Sequence, residues 1–426
     1  MLLSFLLALF GFIFLGVPIA FSLIMTTVVL MLLSSGSVAP AIISQSIVRG
    51  IDSFPLMAIP FFMLAGEIMN VGGISKRIVY FSNALVGHVT GGLGYVSVVA
   101  SMLFAGVSGS AVADTSAIGS ILLPIMDKEG YDKVKSTALV VSAGCIGPII
   151  PPSIPMILFG VIGGVSIVKL FLGGIVPGVL IGIGLMVIWY FHAKKYQYKS
   201  NKKQSLKSVI KSAKEAFWAL ILPIIILGGI IFGIYTPTEA AVIAVVYSFV
   251  ISTFVYKEFK PHHWLDVLIS AGKTTAVVML VCGTATAAGY LITTAQIPKL
   301  LANTILALAN NNVVIVMLLI NVLLLAVGCV MDLTPALLIL GPILLPIVIS
   351  YGLDPVYFGV VMVVNLCIGL ITPPVGTVLY VGCGLSKLSM AELTKPILSF
   401  VGVMMVVLLL ITYIPGLIMF IPNLVK

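Results

Sequence analysis

Residues 1–48 contain no Asp, Glu, Lys or Arg. The same holds for 136–168, 170–193, 216–238, 240–256, 300–331, 355–386 and 396–425. A helix that crosses a bilayer needs about 20 apolar residues, so several of these runs hold one span and the longer ones have room for more. Only 8% of the 426 residues are charged, against roughly 25% in a typical soluble domain. A soluble chain of this size could not cover its surface with so few charges; lipid can solvate the rest. The runs are continuous rather than alternating, which argues against a barrel and for an all-α polytopic membrane protein. No Lys or Arg precedes Arg49, and the first apolar run is too long for the h-region of a signal peptide. We expect it to be retained as a first helix.

The net charge of +9 is concentrated in one loop. Lys194, Lys195, Lys199, Lys202, Lys203, Lys207, Lys211 and Lys214 follow one another there. Such a run reads as a solvated loop rather than a nucleic-acid surface, and the positive-inside rule puts 194–214 in the cytoplasm. It can attract anionic membrane lipid, and 203–216 has enough amphipathic character to lie along the surface. Two spans, 217–235 and 239–256, then return the chain to Lys257 and Lys260 on the same side. Tyr235–Glu239 is thus expected on the opposite side. Trp189, Trp218 and Trp264 are expected near the interfaces. The five cysteines form no CxxC and the four histidines do not cluster with them, so a disulfide framework or structural zinc is not expected. No H-E-x-x-H, G-x-S-x-G or GxxxxGK[ST] occurs; neither an enzyme nor a nucleotide-driven machine is indicated.

An internal repeat carries more information. Ile-Leu-Leu-Pro occurs at 121–124 and again at 343–346. At the same offset of 222, Gly130 and Asp132 match Gly352 and Asp354, and Cys145-Ile-Gly with Pro151-Pro152 matches Cys367-Ile-Gly with Pro373-Pro374. Paired repeats in a membrane chain point to a secondary transporter built from inverted halves. Each half also has a small-residue turn within an apolar region, Phe104–Ser116 and Ala326–Pro335, which reads as the tip of a re-entrant hairpin. Each then has a proline-broken helix, at Gly147–Pro155 and Gly369–Gly376. Irregular backbone at membrane depth is tolerated only inside protein or beside an aqueous cavity. Its carbonyls, with Ser and Thr hydroxyls, are hard oxygen donors suited to sodium. The first candidate region is Ser108, Gly109, Ser110, Asp114, Gly147, Pro148 and Ser153. The second is Gly328, Cys329, Asp332, Thr372, Pro373, Pro374, Gly376 and Thr377. Asp114 has a bland alternative, capping the return helix of its hairpin, and Asp332 has the same one. Glu239, after Thr236-Pro-Thr, suits a cap as well as an ion. Glu67 is a further acid in apolar surroundings.

These stretches resemble a family. Pro60-Phe-Phe-Met-Leu-Ala-Gly-Glu67, Gly106-Val-Ser-Gly-Ser-Ala-Val-Ala-Asp114-Thr, Pro148-Ile-Ile-Pro-Pro-Ser153, Tyr235-Thr-Pro-Thr-Glu-Ala-Ala241 and Thr372-Pro-Pro-Val-Gly376 occur in the order found in the large, DctM-type membrane subunit of tripartite ATP-independent periplasmic (TRAP) transporters. Within that family the stretches resemble the sialic-acid branch. The resemblance implies an elevator-type, sodium-coupled importer in the inner membrane, with about 11 spanning helices and two hairpins. It implies two partners, a small membrane subunit and a periplasmic substrate-binding protein. It implies no cofactor beyond the coupling ions, and sialic acid or a C4-dicarboxylate as cargo. Substrate is expected between the tips, at Ser108, Ser110, Pro151, Pro152 and Thr372. The chain divides accordingly: a scaffold helix and connector at 1–53, the first repeat at 54–160, a scaffold helix and the basic loop at 161–216. A helix pair at 217–274, the second repeat at 275–385 and a C-terminal helix at 386–426 complete it. The competing readings are an elevator-type anion carrier that works alone, and a channel or purely structural membrane subunit.

Overall fold

The computed structural model describes residues 2–33, 39–198, 205–299 and 312–425, and every regular element among them is helical. Part of the basic run, 199–204, lies outside the described residues. The expected first helix is two, α1 (Leu2–Phe14) and α2 (Ile19–Leu33). The cause is local: Gly16 takes φ +81° and Pro18 follows it, a combination that ends one helix and permits the next. α3 (Pro40–Ile51) leads through a short turn, Phe54–Met57, into α4 (Ala58–Val71) and α5 (Ile74–Val86).

A succession of hairpin, helix, break and helix then occurs twice. The first is α6 (Gly92–Ser108) and α7 (Ala111–Lys128), then α8 (Lys133–Gly144), a turn, α9 (Ile154–Gly163) and the long α10 (Ile167–Tyr196). Between the two lie α11 (Leu206–Ile231), α12 (Pro237–Val250) with a π turn to Val255, and α13 (His263–Thr294). The second is α14 (Val313–Gly328) and α15 (Leu333–Ser350), then α16 (Pro355–Gly369), a turn and α17 (Thr377–Ser386). α18 (Met390–Tyr413) and α19 (Gly416–Leu424) follow, two elements where one C-terminal helix was expected.

The residues that match at offset 222 do the same work in both successions. Ile121–Pro124 and Ile343–Pro346 sit in the return arms α7 and α15. Asp132 caps α8 by accepting Lys135 N–H at 2.9 Å, and Asp354 caps α16 by accepting Val356 N–H at 2.7 Å. Both Pro-Pro bonds, 151–152 and 373–374, are cis.

Seven of the described helices are long and apolar enough to cross a membrane. One of them, Leu333–Ser350, is the return arm of the second hairpin. Large apolar side chains such as Leu7, Phe14, Leu15 and Ile224 point outward, as lipid-facing residues do. The protein is a polytopic membrane protein.

Three local readings become definite. The segment 203–216 is not a separate surface helix: its described part forms the first turns of α11. Trp189 is fully buried within the protein. Its indole N–H donates to Gly91 O at 2.8 Å, and its ring stacks on Tyr131 and Tyr198. Gly94 makes room for it, since a methyl there would strike the indole. Glu239 is a cap, since Thr236 and Glu239 form a reciprocal capping box at the start of α12.

Packing divides the molecule. α4 packs on α12 and α13, α5 on α11, and α13 on α2 and α3. α7 and α8 pack together, α10 lies on α18, α16 and α6, and α14 lies on α16. α13 also meets α15, α4 also meets α6, and α5 packs on α6 as closely as on α11, so the two groups touch along the hairpins.

Candidate functional site

The first hairpin turns at Gly109, whose φ of +63° is the left-handed conformation that favours glycine. Ser110 caps α7 by accepting Ala113 N–H at 3.4 Å. Asp114 is therefore not the cap of this helix. Its carboxylate is wholly buried, and Oδ1 accepts the Ser108 hydroxyl across the tip. Its other oxygen, Oδ2, has no protein partner. The neighbouring Thr115 hydroxyl is likewise buried and unpartnered. Both face the end of α8: a methyl at Gly147 would strike Asp114 Oδ2, and one at Gly144 would strike Thr115 Oγ1. Glycine at those two positions is what lets the hairpin approach.

The turn that breaks α8 from α9 is closed by tight bonds, Gly147 N–H to Gly144 O at 3.0 Å and Ile149 N–H to Ile146 O at 2.9 Å. Ser153 ends it, donating to Pro148 O and accepting Met156 N–H at 3.3 Å as the cap of α9. Gly109 lies against the Pro152 carbonyl. Tip and break are thus one unit, and Ser108, Gly109, Asp114, Gly147, Pro148 and Ser153 fall within it.

The second hairpin makes a parallel arrangement from different atoms. Asp332 occupies the cap position of α15, yet its side chain makes no cap bond. Asp332 Oδ1 instead accepts the Thr377 hydroxyl at 3.0 Å, reaching across to the start of α17. Cys329 O accepts Val375 N–H at 3.2 Å. Gly328 and Gly369 touch backbone to backbone. Gly376, at φ +51°, starts α17. The Thr372 hydroxyl is turned onto its own helix and donates to Ile368 O at 2.7 Å. The Pro373-Pro374 turn stands between it and Gly376.

A cavity of about 80 Å³ lies between the two tips. Gly109–Val112 line it from the first hairpin and Asp332–Thr334 from the second, with Pro148, Ile154, Pro155 and Leu370 from the two breaks. Of the substrate candidates, Ser110 lines this space. Ser108 lies behind it on Asp114, Pro152 behind Gly109, and Thr372 on Ile368 O.

Sequence reasoning missed the walls contributed from outside the two hairpin-and-break units, Met63 of α4 and Val278 of α13. It also missed a buried amide pair behind the second tip. Asn365 Nδ2 donates to Asn321 Oδ1 at 2.8 Å, and Asn321 Nδ2 donates to Thr412 Oγ1 at 3.1 Å. Two asparagines inside uncharged apolar runs were the available signal, because a polar side chain in a membrane helix seeks a partner on another helix. Glu67 is engaged on α13, where its Oε1 accepts the Ser270 hydroxyl at 2.8 Å.

The comparisons with known proteins agree with this picture. The family model described as "Tripartite ATP-independent periplasmic transporter, DctM component" matches residues 6–417. A Haemophilus influenzae protein named as a TRAP large permease, without a substrate, is 49% identical over 97% of both chains. The 2,3-diketo-L-gulonate TRAP transporter large permease of Escherichia coli is 45% identical, over 98% of this chain and 97% of its own. The sialic acid TRAP transporter large permease of Vibrio cholerae is 39% identical, over 97% and 96%. Among solved structures, the fold is similar to the YdaH transporter of Alcanivorax borkumensis, with TM-score 0.64, 14% identity and 87% of each chain covered.

Proposed function

The chain belongs to the DctM-component family of tripartite ATP-independent periplasmic transporters, and on that premise we propose that it imports a sugar-derived organic acid by sodium coupling. As a family member it is an inner-membrane transport protein of organic-acid type and not an enzyme. The observation that carries the finer reading is the shared cavity: two hairpin tips line one space, and each hairpin holds a carboxylate tied to a hydroxyl, Asp114 to Ser108 and Asp332 to Thr377. Sodium takes hard oxygen donors. The first ion is assigned to Ser108, Asp114 and the Gly147–Ser153 turn, the second to Asp332, Thr377 and the 369–376 turn.

Charge accounts for the need. Moving one negative charge inward against an inside-negative potential costs about 2.3 kcal/mol per 100 mV. Two sodium ions reverse the net charge moved with a monoanion and add their own gradient. Neither 300–331 nor 355–386 holds a Lys or Arg, so sodium and hydroxyls, rather than a basic clamp, receive the carboxylate at the tips.

The division in packing supports an elevator. α1–α5 with α11–α13 form the static part, and the two hairpin-and-break units with α10 and α18 move against it. In this reading the repeats are inverted, the first hairpin entering from the cytoplasmic side and the second from outside. Side is set by the basic loop. A cysteine replacing Lys195 should stay unlabelled by membrane-impermeant thiol reagents in intact cells, and one replacing Ile234 should react. Ready labelling at 195 without lysis reverses the assignment.

A small membrane subunit extends the static part, and a periplasmic substrate-binding protein delivers the cargo. The cargo is a polyhydroxylated sugar acid, the class shared by sialic acid and the diketogulonate named for the E. coli relative. Reconstitution tests the whole reading. Uptake into vesicles should require a sodium gradient, the small subunit and the cognate binding protein together. Uptake by the chain alone indicates a stand-alone carrier, and ion current without a gradient requirement indicates a channel; either result defeats the proposal.

A further inference from the structure

A second, larger cavity of about 530 Å³ adjoins the site. The same helices wall both spaces, in consecutive turns. α9 contributes Ile154 and Pro155 to the small cavity and Leu158, Val161 and Ile162 to the large one. α15 contributes Leu333 and Thr334, then Leu338 and Pro342. α13 contributes Val278, then a stripe from Cys282 to Thr293. The chain leading into α4 runs the other way, with Leu56 in the large cavity and Met63 in the small one. From Val278 to Thr293 is about 22 Å at 1.5 Å per residue. The large cavity is therefore a chamber that occupies the turns of these helices next beyond the small one, and extends towards the far end of α13. That end lies on the side of Tyr235–Glu239, since Thr238 donates to Phe54 O at 3.2 Å beside the chamber wall.

The chamber holds one formal charge. Arg49, on α3, lines it with Ser46, Ser53, Tyr290 and Thr293, and none of its walls is acidic. Among the described residues Arg49 has no ion pair or hydrogen bond; the one ion pair is Arg77 with Glu258, on the basic-loop side. The remaining walls are mostly aliphatic. A lone guanidinium at the mouth of an apolar-sided passage concentrates anions there, and its planar fork matches a carboxylate.

We propose that this chamber is the entry vestibule of the transporter and that Arg49 takes the carboxylate of the incoming organic acid before it reaches the tips. The proposal rests on the import reading and adds to it the first contact. The small cavity offers no cation of its own, so transfer from Arg49 inward is transfer from a protein cation to bound sodium. Arg49 stays on the static part, which makes it a loading contact rather than a companion of the moving cargo.

The test reads charge directly and needs no transport. Thr293→Cys, exposed on the chamber wall, is modified in vesicles by an anionic sulfonatoethyl and a cationic trimethylammonioethyl methanethiosulfonate. The anionic-to-cationic rate ratio should fall about tenfold when Arg49→Gln is added and should be retained with Arg49→Lys. At Ile234→Cys, away from the chamber, the ratio should not move. Isethionate, succinate and N-acetylneuraminate serve as probe acids; at least one should slow the anionic labelling with Arg49 present and none with Arg49→Gln. An unchanged ratio in Arg49→Gln overturns the proposal. So does slowing by phosphatidylglycerol in the vesicles and by none of the acids, which assigns Arg49 to a lipid headgroup. If reconstituted uptake fails while the ratio and acid protection hold, the import reading falls and the anion site stands.

Discussion

Asp114→Asn is expected to raise the sodium concentration for half-maximal uptake by about 10- to 100-fold, with the amount of folded complex close to wild type. The magnitude corresponds to losing one charge-assisted contact of about 1.5–3 kcal/mol. The amide has the shape of the carboxylate, so the fit against Gly147 survives. The Ser108 hydroxyl can still donate to the retained carbonyl oxygen. What is lost is the negative charge beside an oxygen that no protein group satisfies. A buried carboxylate oxygen without a partner is costly unless something else completes it, and in the proposed sodium-coupled reading a coupling cation does so. Ser108→Ala should give a smaller shift in the same direction, because it removes the donor that orients the carboxylate and leaves the charge. Thr372→Ala should matter less still: its hydroxyl already serves Ile368 O, while Thr377 is the residue that holds Asp332. Uptake is measured against sodium concentration and normalised to folded complex. Unchanged sodium dependence in Asp114→Asn, with an intact maximal rate, removes this carboxylate from the ion site.

The features legible in the sequence are the ones written locally. Asp132 and Asp354 cap helices because Asp before a helical run does so anywhere. The double prolines break helices because proline cannot continue one. The shared offset of 222 exposed two copies of one plan without any knowledge of how they pack. The split of the N-terminal segment into α1 and α2 was legible too, in Gly16 and Pro18, but the absence of charge masked it. Other features depend on the third dimension. Asp114 reads equally as a cap or an ion ligand until Ser110 is seen to fill the cap position and Ser108 to reach across the tip. Trp189 reads as an interface marker until Gly91 and Gly94 are found making its pocket. Met63 and Val278 are ordinary apolar residues on helices outside the hairpins and breaks, and only packing brings them to the tips. Arg49 carried its signal throughout as the first charge of the chain, yet its significance depends on the chamber that α3 and α13 build around it.

Gly369→Ala is expected to disable transport more severely than any hydroxyl substitution, because it acts on the joint between the second tip and its broken helix. A Cβ there would lie 2.6 Å from the Gly328 carbonyl carbon, 2.7 Å from its Cα and 2.8 Å from its oxygen. All three are backbone atoms, with no side-chain end to swing aside. The tip must move away from α16, and two contacts beside it then lengthen: Val375 N–H to Cys329 O at 3.2 Å and Thr377 Oγ1 to Asp332 Oδ1 at 3.0 Å. Overpacking of this kind costs about 1–3 kcal/mol in stability, a loss the fold can survive. The second ion region is less tolerant, since its carboxylate is held by the contact that the displacement opens. Uptake should therefore fall by at least about tenfold, the equivalent of one 1.4 kcal/mol step at the ion site, while most of the protein still purifies folded. Gly341→Ala supplies the comparison. It lies on α15 in the same hairpin, but a methyl there meets only the Phe159 ring at 3.9 Å, an ordinary contact. Alanine in a helix interior is favoured over glycine by up to about 1 kcal/mol, so Gly341→Ala should unfold no earlier than wild type and keep its uptake. Thermal unfolding of the purified complex and sodium-driven uptake are measured side by side for both variants. Equal behaviour of the two would mean that the tip and the broken helix are not locked together at Gly328 and Gly369, and that the second ion region does not depend on their contact.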